Sequence, residues 1–93
     1  KEYYVYVPNA FIPDGDRLNE VFSASLVGVQ EIEIEIFNRW GQLIFTSTDL
    51  NFEWDGTYRG HKVQTGTYVW KMKVLPEGKI DKELYTGHVS LLK

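Results

Sequence analysis

The chain has 93 residues, enough for one domain and too few for two, and folding at that length hides roughly 60 to 65% of the surface an unfolded chain exposes. Ten Lys and Arg against thirteen Asp and Glu give a formal charge of -3, so no basic stripe supplies the phosphate attraction a nucleic-acid partner needs. There is no cysteine to staple the fold, so the core must be built from aromatics, which form 15% of the chain and can each bury about 150 to 250 Å².

In chain order, Tyr3-Tyr4-Val5-Tyr6-Val7 is a β-rich run closed by Pro8, whose missing N–H suits an edge strand. Residues 8–20 carry Pro8, Pro13 and Gly15 and read as a loop pinned by Phe11 and Ile12. Residues 21–26 predict a short strand, with Phe22, Ala24 and Leu26 on one face, that Gly28 breaks.

The stretch from Ile32 to Gly56 organises the rest. Ile32, Ile34 and Ile36 point one way and Glu31, Glu33 and Glu35 the other, the period of two of a half-buried strand. Asn38-Arg39-Trp40-Gly41 then supplies residues that tolerate the positive φ of a tight turn, and the β-rich run from Gln42 to Thr46 completes a hairpin. Phe52 and Trp54, two residues apart, drop onto one apolar layer before Asp55-Gly56 turns the chain.

Residues 57–64 read as a polar turn around Gly60 and His61. Residues 67–75 form the longest clean strand, with Tyr68, Trp70, Met72 and Val74 inward and Lys71 and Lys73 outward. Pro76-Glu77-Gly78-Lys79 reverses the chain, which returns over 82–92 with Tyr85, Gly87, Val89 and Leu91 on one side. About seven short antiparallel strands and no helical period predict an all-β sandwich filling residues 1–93 as one domain, with a small barrel as the competing architecture. The wet glutamate and lysine faces favour the sandwich.

Three constellations could carry chemistry. Asp14, Asp16, Asn19 and Glu20 set oxygen donors around Gly15 in the manner calcium selects, against the plainer reading of turn residues that accept their own backbone N–H groups. Trp40, Trp54, Trp70 and Tyr68 could line a carbohydrate-binding face, or be core; Trp40, at a hairpin tip, is the exception to the core reading. His61 and His88 have no cysteine beside them, and no strained elbow exposes a serine nucleophile, so no enzymatic activity is expected. No apolar run approaches the ~18 residues that span a bilayer, and Lys1-Glu2-Tyr3 does not begin a signal peptide, so an exported form would carry its leader in a longer protein.

Five ordered blocks point further: residues 7–20 (VPNAFIPDGDRLNE), 36–45 (IFNRWGQLIF), 54–60 (WDGTYRG), 66–70 (GTYVW) and 87–93 (GHVSLLK). Together they resemble the gliding motility-associated C-terminal domain of Bacteroidetes surface proteins, the type B sorting domain of the type IX secretion system. The resemblance implies an immunoglobulin-like sandwich, similar also to the Ig-like domain of the flagellar hook-capping protein. It implies a non-catalytic tag that sends an attached cargo across the outer membrane to the cell surface or medium, read by an outer-membrane partner of the PorP/SprF kind. Family members usually carry Asn, Gly and Asp where Asp14, Arg17 and Glu20 stand here.

Two surfaces of a monomeric domain are expected to be read by that partner. One is the tip at Asn38, Arg39, Trp40 and Gly41. The other is the last strand with Val89, Leu91, Leu92 and Lys93, which as an open sheet edge could be captured by strand addition.

Overall fold

The computed structural model describes residues 3–13 and 21–92. Among them there are nine strands and no helix: β1 (Tyr4–Tyr6), β2 (Ala10–Phe11), β3 (Ser25–Val27), β4 (Val29–Phe37), β5 (Leu43–Ser47), β6 (Thr57–Tyr58), β7 (His61–Lys62), β8 (Gly66–Pro76) and β9 (Glu83–Leu91). A five-stranded sheet in the order β2-β9-β8-β4-β5 forms one layer, and the pair β1-β3 belongs to the other. The Cα trace spans 20 Å along its shortest axis, room for two layers stacked about 10 Å apart.

The alternation in β4 sets the register of the large sheet. Ile32, Ile34 and Ile36 lie opposite Val74, Met72 and Trp70 of antiparallel β8, and all six are buried. On the other face Glu33 faces Lys73 and Glu35 faces Lys71, so opposite charges stand across the strands, an arrangement that favours this pairing. Across from β8, Trp70 lies opposite Gly87 of β9, and the indole runs over the glycine where a Cβ would meet it at 2.7 Å.

The second layer is aromatic. Phe22 and Trp54 exchange backbone hydrogen bonds of 2.8 and 2.9 Å in an isolated bridge, which sets their rings beside Phe11 and Phe52. Trp54 stacks edge-on to Tyr68, with ring centroids 5.5 Å apart, and its Nε1 donates to the Thr57 carbonyl at 2.9 Å. Edge-to-face rings at this spacing add to what their buried area contributes.

The structure departs from the sequence reading in four places. There are nine strands rather than seven, because residues 57–64 form the small hairpin β6-β7 and Ala10–Phe11 make a strand of their own. The sheet is mixed, since β2 runs parallel to β9. In the stretch 21–26, Phe22 makes only a bridge and the strand itself is Ser25–Val27. The last strand is not a bare edge at its end: Ser90 N donates to Asn9 O at 2.8 Å and Leu92 N to Phe11 O at 3.0 Å, so β2 covers it.

Candidate functional site

The turn between β4 and β5 is built by Asn38. Its Oδ1 accepts the backbone N–H of Trp40 at 3.0 Å and of Gln42 at 2.9 Å, while its Nδ2 donates to Gln42 Oε1 at 2.9 Å. Asn38 N also donates to Gln42 O, and Gly41 N to Asn38 O, both at 3.0 Å. This is a three-residue hairpin loop in which only Gly41 takes a positive φ, 83°. Asn38 therefore serves as an acceptor for the turn and not, as its residue type suggested, as a left-handed residue.

Such a turn fixes what it displays. Trp40 is 71% exposed, the Arg39 guanidinium lies 4.6 Å from its ring centroid, and no residue folds over it to make it core. A tryptophan held out on a hydrogen-bonded turn loses little freedom on binding, which is the quality of an interface anchor.

Behind the turn the surface is concave. One recess is lined by Trp40, Gln42, Ile44, Tyr58, Val63 and Tyr68 among others. Ile44 reaches it because β5 is bulged: Ile36 pairs with Phe45 and Phe37 with Leu43, which leaves Ile44 without a partner across β4 and turned inward. Gln42 Nε2 donates to the Tyr58 hydroxyl at 3.3 Å and ties the turn to the β6-β7 hairpin. Tyr68 donates to the Gln64 carbonyl at 2.5 Å; its burial raises the phenol pKa above 10.0, against a smaller lowering by Arg39.

The two sequence-predicted surfaces meet at this end of the sandwich. Thr65, Gly66 and Thr67 line one recess with Arg39 and Trp40 and another with Leu91 and Leu92. Within the terminal group, however, Val89 and Leu91 belong to the core, and only Leu92, 46% exposed, presents its side chain outward. The alternation of β9 explains this, because Val89 and Leu91 share the inward phase of Tyr85 and Gly87. Lys93 and the four candidate calcium ligands Asp14, Asp16, Asn19 and Glu20 lie outside the described residues.

The remaining candidates separate. Trp54, Trp70 and Tyr68 are buried, so the four rings proposed for a sugar-binding face do not form one platform. His61 is exposed on β7, and His88 is exposed on the outer face of β9, as its phase predicts. Sequence reasoning missed Ile44, Tyr58, Val63, Gln64 and Arg59 as parts of this end. The one available signal was Arg59-Gly60, which takes φ of 54° and 82° at the tip of β6-β7, a two-residue loop with both positions left-handed.

These features define an all-β, sandwich-like domain with an aromatic turn bared at one end. The CHU_C type IX secretion signal domain family matches residues 5–91, and the chain belongs to that family. No curated protein and no solved structure matches the chain. Membership gives the domain the role of a C-terminal sorting signal, which implies interaction with the secretion machinery and export through the outer membrane to the cell surface or medium.

Proposed function

We propose that the domain acts without catalysis, as a folded address read at the end that carries Asn38, Arg39, Trp40, Gly41 and Leu92, and that the reader is an outer-membrane protein of the PorP/SprF kind. The observation that carries this reading is Trp40. It is the most hydrophobic part of a turn held by four backbone N–H hydrogen bonds, from Asn38, Trp40, Gly41 and Gln42, and it stands 71% exposed beside an apolar recess. A large ring on a hydrogen-bonded mount beside an apolar recess has the form of an interface anchor.

The mechanism follows from rigidity. The aromatic second layer and the five-stranded sheet hold the turn, the β6-β7 hairpin and the end of β9 in fixed relation, so a partner meets one preformed surface. Any cargo fused ahead of the domain is carried with it, whatever its own fold.

The test is export of a fluorescent protein bearing these 93 residues at its C-terminus, in a host with the type IX system and in one lacking it. Export in the first host alone is expected. Equal amounts outside both hosts, or none outside either, would contradict the reading.

A further inference from the structure

Three cations surround the bared end, and each lies over an aromatic ring. Arg39 covers Trp40 at 4.6 Å, Arg59 covers Tyr58 at 5.2 Å, and Lys71 lies 5.5 Å from the Phe37 ring. Among the described residues none of the three is in an ion pair, although Lys71 has Glu35 opposite it across the sheet. Five recesses open at this end, and no Asp or Glu among the described residues lines any of them. Among the described residues, that is a local excess of positive charge on a chain whose formal charge is -3.

A guanidinium stacked on a ring keeps its in-plane N–H donors free, so it holds its position and still offers a bidentate fork to a carboxylate. Resting on the reading of this end as the recognised surface, we infer that the partner meets it with an acidic protein segment, carboxylates set around an apolar side chain. The carboxylates pair with Arg39 and Arg59, and the apolar side chain enters the recess formed by Ile44, Tyr58, Val63 and Tyr68 behind Trp40. Charge complementarity selects the partner's sign, and the recess selects its shape.

An anionic lipid surface fits these observations less well. The recess is concave and takes a protruding side chain, whereas a membrane is flat on this scale.

The test compares export of the same fluorescent fusion bearing wild-type sequence, Arg39→Glu/Arg59→Glu, Arg39→Gln/Arg59→Gln, and Lys79→Glu/Lys82→Glu at the opposite end of the sheet. Thermal melting of each domain checks that it folds. Charge reversal at the bared end is expected to lower export by about tenfold or more, the neutral pair by less, and the distal reversal not at all. Full export of the folded Arg39→Glu/Arg59→Glu variant overturns the inference while leaving the sorting role intact. An equal loss in the glutamine pair overturns it too, because shape rather than charge would then be read. Absence of wild-type export defeats the underlying reading and this inference with it. Flotation of the purified domain with phosphatidylglycerol vesicles, lost in the reversed variant, would overturn it in favour of a lipid; no flotation is expected.

Discussion

Gly87→Ala tests whether the core is packed as described. A Cβ at this position stands 2.7 Å from Trp70 Cζ2, 2.9 Å from Cε2 and 3.1 Å from Nε1, where carbon atoms in contact prefer about 3.5 to 4.0 Å. All three atoms belong to one ring, itself buried and facing Ile36 across the sheet, so relief requires the whole indole to move. Trp70 Nε1 has no hydrogen-bond partner, so the ring is held by packing over the glycine and not by a polar contact. Overpacking of this kind costs about 1 to 3 kcal/mol. The smaller freedom of alanine in the unfolded chain offsets about 0.4 to 1 kcal/mol. The net loss has a midpoint of about 1.3 kcal/mol in a span of about 0 to 2.6, and at about 4 to 8 °C per kcal/mol the midpoint lowers the melting temperature by roughly 5 to 10 °C. Melting followed by circular dichroism measures it. In a Trp70→Phe background, where the ring carries no atom at Nε1 or Cζ2, the alanine should cost much less, a non-additivity expected of residues in contact. A Gly87→Ala domain that melts with or above wild type would refute the packing argument.

Gly41→Ala meets no atom within 4 Å, so its cost is that of a left-handed backbone alone, about 1 to 2 kcal/mol, read as a lower melting temperature; an unchanged melt would contradict the turn geometry. Asn38→Ala removes the side-chain acceptor for Trp40 N and Gln42 N and should destabilise by about 0.5 to 1.5 kcal/mol per hydrogen bond lost, without abolishing folding. The Tyr85 phenol, hydrogen-bonded to the Tyr3 hydroxyl at 2.9 Å and partly desolvated, is pushed up to about 12 from 10.0. Because the folded-state value is raised, this contribution to stability is complete below pH 10 and is lost as pH climbs toward 12. Phenolate absorbance should show Tyr85 titrating late, and Tyr85→Phe should flatten the fall in melting temperature over that window. Asp14, Asp16, Asn19 and Glu20 are expected to raise the melting temperature when calcium is added, and identical melts with calcium and with chelator would remove the metal.

The large sheet was legible because its strands are long enough to repeat. Three and a half periods of alternation over residues 31–37 of β4 and five over residues 67–76 of β8 name the buried residues one by one, and Ile32, Ile34, Ile36, Tyr68, Trp70, Met72 and Val74 all lie where the phase places them. Two-residue strands carry no period, so β2, β6 and β7 were invisible in the sequence. Pairing between distant segments leaves no local mark either, so nothing at Ala10-Phe11 announces a parallel partner some eighty positions later at Ser90-Leu91. The same blindness hid the covering of the last strand, whereas the burial of Val89 and Leu91 follows from the phase they share with Tyr85 and Gly87.

The functional end was half legible for a related reason. Asn38-Arg39-Trp40-Gly41 is a local signal, and its turn chemistry could be read in place. The recess beside it is not local: the bulge at Ile44, the β6-β7 hairpin and the start of β8 are brought together only by the tertiary fold. A bulge shifts phase within one strand, and strict alternation misassigns the residue it inserts.

If another protein reads the end bared around Trp40, export of the fluorescent fusion carrying Trp40→Ala will show it. Because the ring is mostly in solvent, the substitution should change stability by no more than about 0.5 kcal/mol, so the domain will melt as wild type does. Export through the type IX system is expected to fall severalfold in that folded variant. Undiminished export would place the recognised surface elsewhere on the domain.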